Sequence, residues 1–168
     1  MTAPTLELDL DPVWGDATDW AALAHRAAAA AGQVAPELAH EHLLASLVMA
    51  DDDEVQALNK QWRAKDQPTN VLSFPMLSRE EVLNASANAN SPGMLGDLIL
   101  AHGICAAEAE AKGIAIAAHA AHLIIHGLLH LAGYDHETGD AHATEMEALE
   151  TKALALMGLA DPYADSEQ

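Results

Sequence analysis

Three histidines separated by a glycine constrain this chain most strongly. His126 and His130 lie four residues apart, and His136 follows beyond Gly133. Side chains at positions i and i+4 of an α-helix share one face, with Cβ atoms about 5–6 Å apart, so the first two imidazoles can bind one ion. Glycine readily ends a helix because it lacks a Cβ atom, and the chain can then bring His136 to the same ion. Three protein ligands leave a fourth position for water, as in catalytic zinc sites.

The residues around these histidines predict a buried central helix. At about 100° per residue, His119, His122, His126 and His130 fall within an arc of about 80°, and isoleucines and leucines cover the rest of the helix. A helix that is apolar all round usually lies in the core. A lone histidine in such a helix is more often a core residue bonded to a backbone carbonyl. Three histidines at ligand spacing favour a metal site instead.

Composition limits the class of protein. The 168 residues fit one domain over residues 1–168, and a hydrophobic content of 51% indicates a folded chain. A single cysteine, Cys105, excludes an internal disulfide framework and suits a reducing compartment. No secretory signal and no apolar run of about 20 residues is evident. We therefore expect a soluble, cytoplasmic protein without a membrane partner.

The charge distribution gives two opposing signals about nucleic acid. The net charge is −19, from 26 acidic residues against 7 lysines and arginines, which argues against loose attachment to a polyanion. Lys60, Arg63 and Lys65 nevertheless cluster and can form a local cationic patch. Charge alone favours the simpler interpretation, a solvated helix end.

Periodicity along the chain predicts an α/β fold of the α+β type, with one small sheet of about four strands surrounded by helices. The third and fourth strands can pair across a loop at 76–93 that contains one helical turn near 80–83. The predicted strands cover residues 6–10, 43–49, 69–74 and 95–100. The predicted helices cover residues 19–31, with Gly32 after the end, a segment starting at Asp51 or Asp52, and residues 106–111, 115–132 and 140–157.

Three separated blocks of this sequence resemble the YbeY family of bacterial metal-dependent endoribonucleases, also called ribosomal RNA maturation factors. The resemblance runs over nearly the whole chain, and Asn70 stands where members of that family carry Asp or Asn. The blocks are residues 58–75, which include RAKDQPTNVLSFP from position 63, the tripeptide LGD at 95–97, and the histidines of residues 119–136, which end in HGLLHLAGYDH.

The resemblance implies one zinc ion bound by His126, His130 and His136, with Arg63 lining the same cleft. It implies cleavage of single-stranded RNA in 3′-end maturation of small-subunit ribosomal RNA and in ribosome quality control. Ribosomal proteins or the small ribosomal subunit are the further partners that it suggests.

Roles for other residues combine chemistry with the resemblance. A guanidinium can stabilise charge on phosphoryl oxygens through paired hydrogen bonds, so with the resemblance we assign Arg63 to catalysis and phosphate binding; without the resemblance, a surface salt bridge to Asp66 is the favoured interpretation. Lys60 and Lys65 are candidates for guiding RNA. His122, one turn before His126, is a catalytic candidate that can hold substrate or move a proton, or it is structural.

Two further positions bear on the reaction and the substrate. Zinc peptidases of the HExxH type carry a glutamate after the first histidine, and Gly127 stands there, which argues against a peptidase. Trp62 falls at helical spacing from Leu58, which is more typical of a core residue than of a base-stacking platform. Two alternatives to a ribonuclease stay open: a ribosome-assembly factor with a structural zinc, and a metal hydrolase of a small phosphoester or amide.

Overall fold

A computed structural model of the chain describes residues 3–90, 92–134 and 140–163. The third predicted zinc ligand, His136, lies outside the described residues. His126 and His130 lie within them.

The predicted four-stranded sheet is confirmed. Its spatial order is β1-β2-β4-β3, with β1 and β4 parallel to the central β2 and with β3 antiparallel to β4. The third and fourth strands therefore pair as expected. The strands are β1 (Thr5–Leu10), β2 (Leu43–Ala50), β3 (Val71–Pro75) and β4 (Gly93–Ala101).

Within the described residues, six α-helices surround this sheet, which confirms the mixed α/β class. Two short 3-10 helices, Pro12–Trp14 and Pro36–Leu38, were not predicted. The α-helices are α1 (Trp20–Val34), α2 (Asp52–Arg63), α3 (Arg79–Ala87), α4 (His102–Lys112), α5 (Ile116–Leu131) and α6 (Asp140–Leu156).

The histidine-bearing helix α5 is central and buried, as predicted. It packs against α1, α4 and α6 and against strands β3 and β4. The packing is close because Gly127 faces Leu98 of β4, where a Cβ atom would lie 2.6 Å from the leucine side chain. The larger core joins α1, α5 and α6 to one face of the sheet, and a smaller cluster that includes Val55 of α2 covers the other face.

The acidic run at residues 51–54 begins a helix, as its composition suggested. The Asp51 side chain caps α2 by accepting a hydrogen bond from the Glu54 amide at 2.8 Å. Asp52 instead accepts from the amides of Gly103 and Ile104 at 2.8 and 3.2 Å. Its carboxylate thus caps α4, a distant helix whose own first residues provide no side-chain cap.

Two predicted features of the helices are wrong. Gly32 does not end α1, because the buried alanine face continues past it and the helix runs to Val34. The loop after β3 contains a full nine-residue helix rather than one turn, since Ser78 and Glu81 form a reciprocal capping box that starts α3.

Side-chain exposure on α6 does not follow polarity. Leu156 is 55% exposed, whereas Glu150 is 1% exposed.

Of the helices in the described residues, none is long and apolar enough to cross a bilayer alone; α4 and α5 pass such a test only as a pair bent by 114°.

Candidate metal centre

The first two predicted ligands come together on α5. The Nε2 atoms of His126 and His130 lie 3.1 Å apart. Two nitrogens bound to one tetrahedral zinc ion at about 2.0–2.1 Å would lie about 3.3 Å apart, so this pair fits a shared metal with little adjustment. Within the described parts of the chain, no three metal-binding side chains are grouped; the third predicted ligand, His136, lies outside them.

Glu150 orients one of these ligands from the opposite helix. Its Oε1 atom accepts a hydrogen bond from Nδ1 of His126 at 3.0 Å. A proton on Nδ1 leaves the imidazole lone pair on Nε2, the atom that faces His130. A carboxylate behind a ligating imidazole is the usual support of a histidine metal site, because it fixes both the tautomer and the ring orientation.

Glu150 is also the centre of a buried polar cluster. The carboxylate lies 2.7 Å from Nε2 of His122, and the Tyr163 hydroxyl donates to its two oxygens, each at 3.1 Å. Burial alone would raise the pKa of Glu150, but the hydrogen bonds from His122 and His126 outweigh it and lower the pKa to about 2. Glu150 is therefore a buried carboxylate anion that is hydrogen-bonded to three side chains, those of His122, His126 and Tyr163.

Glu150 was missed by the sequence analysis, although a signal was present. Met146 and Leu154 lie four residues before and after it, and all three side chains are buried. An acidic residue in register with a buried apolar stripe has to find partners in the core. On α5, those partners are His122 and His126.

His122 faces the carboxylate cluster. It is 9% exposed, and its Nε2 atom lies 3.4 Å from the Tyr163 hydroxyl as well as beside Glu150. It lines a small side cavity of about 170 Å³ that it shares with His126, but not the main cleft. This position supports His126 from behind; the catalytic role assigned to His122 stays a prediction.

His119 continues the same polar stripe away from the metal pair. Its Nε2 atom lies 2.8 Å from a Glu108 oxygen, which also accepts from the Asn70 amide at 3.1 Å. Burial lowers the pKa of His119 despite this partner. The contact ties α5 to α4 and to the segment that enters β3.

A cleft of about 710 Å³ opens over His126 and His130. Arg63 lines it together with His126 and His130, as the sequence predicted. The alternative salt bridge from Arg63 to Asp66 does not form, because Asp66 pairs with Lys60 at 3.8 Å and accepts from Gln56.

The two predicted RNA-guiding lysines do not line this cleft. Lys60 and Lys65 are exposed, and Lys60 pairs with Asp66. A run of six residues spans more than a full helical turn, so neighbours in sequence point in different directions. Only Arg63 of the predicted patch reaches the cleft, and guidance of RNA by the lysines stays a prediction.

The opposite wall of the cleft contains a second arginine that the sequence did not single out. The Arg79 guanidinium pairs with Glu37 at 2.5 Å, donates to the Ala132 carbonyl at 2.8 Å and lies 4.7 Å from the centre of the Tyr134 ring. The Tyr134 hydroxyl donates to the same Glu37 carboxylate at 3.0 Å. This network holds the chain that leaves α5 against α3.

The prediction of a core position for Trp62 is wrong. Its side chain is 66% exposed and lines the cleft beside Arg63. Val55, two turns earlier on the same face, is fully buried. In the last turn of α2, Trp62 borders an apolar groove with the sheet residues Val48 and Ile99 instead of packing into the core.

The chain is similar to known proteins over nearly its whole length. The family model described as "Endoribonuclease YbeY" matches residues 15–158. Endoribonuclease YbeY of Novosphingobium aromaticivorans is 73% identical over 98% of each chain, and that of Erythrobacter litoralis is 52% identical over 95% of this chain and 98% of its own. The solution structure of TM1509 from Thermotoga maritima shares the fold, with a TM-score of 0.59 and 22% identity, over 98% of this chain and 91% of that one.

Proposed function

We propose, since this chain belongs to the endoribonuclease YbeY family, that it is a zinc-dependent endoribonuclease acting on single-stranded RNA in the cytoplasm. It would act in 3′-end maturation of small-subunit ribosomal RNA and in ribosome quality control. The observation that carries the proposal is the pair of Nε2 atoms 3.1 Å apart at the base of a cleft that Arg63 also lines.

The residues that would hold the metal are His126 and His130, together with the predicted third ligand His136. A bound zinc ion supplies a Lewis acid for phosphoryl oxygens and lowers the pKa of its water toward about 7. Glu150 keeps the proton of His126 on Nδ1, so that the opposite nitrogen faces the ion.

Arg63 would bind the phosphate at the reacting centre. Cleavage of a phosphodiester increases negative charge on the non-bridging oxygens, and a guanidinium can donate two parallel hydrogen bonds to them. Arg63 lines the cleft, and no ion pair to it occurs among the residues that the structure covers. Its donors therefore face the space in which the substrate would lie.

The environment of Gly127 argues against a zinc peptidase of the HExxH type. A glutamate here would be the general base of a zinc peptidase. A Cβ atom at this position would lie 2.6 Å from Leu98, which is fully buried. The close contact between helix and sheet leaves no space for such a side chain.

The test compares purified wild type with His126→Ala, Arg63→Ala and the control Arg26→Ala, which removes an exposed arginine of α1. Zinc content and cleavage of labelled single-stranded and duplex RNA are measured for each protein. We expect cleavage of single strands to be lost in the first two variants, zinc to be lost only from His126→Ala, and the control to match wild type.

Two results would contradict the proposal. Cleavage that persists in zinc-free His126→Ala would indicate a contaminating nuclease and favour an assembly factor. Hydrolysis of small phosphoesters or amides by a wild type that never cleaves RNA would favour the other metal hydrolase.

A further inference from the structure

Trp62 differs from the other two tryptophans in its environment. Trp14 and Trp20 are 5% and 3% exposed and pack edge to face, whereas Trp62 is 66% exposed at the rim of the cleft. Tryptophan combines a large apolar area with a flat ring. At the rim of a cleft, such a surface is suited to contact a flat ligand that enters there.

Two adjacent cavities share this indole. On one side is the cleft with Arg63, His126 and His130, and on the other is an apolar groove of about 370 Å³. Phe74 of β3 lines both of them as well. A flat apolar group that enters beside Arg63 would thus meet aromatic surface next to the candidate metal centre.

The helix end that carries Trp62 is held firmly in place. The backbone N–H of Ala64 donates to the carbonyls of Asn59 and Lys60, which closes α2 directly after Arg63. The buried Asn59 side chain donates to the Gln67 carbonyl at 2.8 Å and ties the following loop to the helix. The capped end of α2 thus brings both the indole and the guanidinium to the lining of the same cleft.

Electrostatic attraction alone would hold RNA weakly in this cleft. The chain carries a net charge of −19, and Arg79, the second arginine on the cleft wall, is paired with Glu37 at 2.5 Å. The basic side chains of the cleft can then neutralise few phosphates, so the affinity that comes from the release of counterions is small. Stacking of bases on aromatic rings supplies affinity that does not depend on the charge of the protein.

We propose that Trp62 is a substrate-positioning residue on which one nucleobase stacks while a neighbouring phosphate binds Arg63. This rests on the proposed function, since it names the part of the RNA that the same site recognises. Every base has a π face, so the contact accepts any base. Bases in a duplex are already stacked inside the helix, so the contact selects for single strands.

The experiment uses zinc-loaded wild type, Trp62→Leu and Trp62→Tyr in steady-state cleavage of a single-stranded RNA oligonucleotide. We expect the leucine variant to raise KM by about 5- to 150-fold with little change in kcat, and the tyrosine variant to stay close to wild type. Both variants should fold, because the side chain is largely exposed, and thermal unfolding checks this.

A second readout follows RNA binding without relying on the rate of cleavage. Trp14 and Trp20 are buried, so quenching of tryptophan emission by added RNA reports mainly on Trp62. We expect a single strand to quench wild type and the same sequence in a duplex not to do so. The leucine variant should show little quenching with either RNA.

Failure of this proposal is distinguishable from failure of the proposed function. If wild type cleaves RNA while Trp62→Leu keeps the same KM, or if Trp62→Leu changes only the oligomeric state, stacking is wrong and the ribonuclease assignment stands. If wild type neither binds nor cleaves any single-stranded RNA, both the stacking proposal and the proposed function are wrong.

Discussion

Glu150 accepts a hydrogen bond from Nδ1 of His126 at 3.0 Å, across the contact between α6 and α5. The nitrogen on the other side of that ring lies 3.1 Å from the corresponding nitrogen of His130. One buried carboxylate thus sets the direction in which a candidate metal ligand presents its lone pair. The geometry of the site depends on how two helices pack, and not on the histidines alone.

Replacing Glu150 with glutamine should weaken zinc binding. The glutamine keeps the volume but removes the charge that makes the imidazole a stronger ligand, and loss of such a partner typically costs 10- to 100-fold in metal affinity. Competition against a chromophoric chelator measures the change. Glu145→Gln, on the exposed part of the same helix, is the control, and equal zinc affinity in the two variants would contradict the role of Glu150.

Replacing Arg79 with methionine should destabilise the protein by about 2 kcal/mol. The variant leaves the Glu37 carboxylate, whose side chain is 9% exposed, with the Tyr134 hydroxyl as its remaining described partner. The cost stays below that of a fully buried pair because the Arg79 side chain is 41% exposed. Urea unfolding measures it, with Arg26→Met as the control; a difference under about 0.5 kcal/mol between the two variants would argue against this network.

Two glycines with positive φ should respond differently to alanine. At Gly96, with φ of 144°, a Cβ atom would overlap the Phe74 carbonyl oxygen, so Gly96→Ala should cost about 3 kcal/mol or more. At Gly113, with φ of 69°, a Cβ atom meets nothing within 4 Å. Gly113→Ala should therefore lower the free energy of unfolding by only about 1 kcal/mol, the cost of the left-handed backbone conformation for alanine. Equal unfolding free energies for the two variants would show that β3 and β4 do not approach this closely.

Replacing Ala64 with glycine should stabilise the protein. Among the non-glycine residues described, Ala64 alone has a positive φ, 58°, and an alanine in this conformation is unfavourable by about 1–2 kcal/mol. Glycine removes that cost, but it also lowers the free energy of unfolding by about 0.5–1 kcal/mol because it gives the unfolded chain more conformational freedom. Thermal unfolding should show a small rise in Tm for Ala64→Gly and a fall for the exposed helical control Ala148→Gly; a fall in both would contradict this account.

Much of the fold follows from local patterns in the sequence. Alternating and β-branched segments predicted all four strands, and the histidine stripe among leucines predicted a buried helix with one polar face. These predictions succeed because the residues that determine each helix or strand lie within a few positions of one another. The spacing of His126 and His130 predicted their convergence for the same reason.

The parts that were missed depend on contacts between distant elements. Asp52 caps α4 from 51 residues away, and Glu150 supports a histidine 24 residues earlier in the chain. Whether Trp62 is buried depends on which distant segments cover the last turn of α2, and periodicity within the helix carries no information about that. Such relationships appear only when the packing of the whole domain is known.

The most direct test of the central claim is a zinc titration of RNA cleavage. Protein stripped by a chelator should be inactive, and its cleavage of single-stranded RNA should rise with added zinc and level off at one equivalent per chain. His130→Ala should regain no cleavage at that ratio, whereas His25→Ala, which changes an exposed histidine of α1, should follow wild type. Full cleavage by the metal-free protein, or recovery of His130→Ala with one equivalent of zinc, would contradict the account.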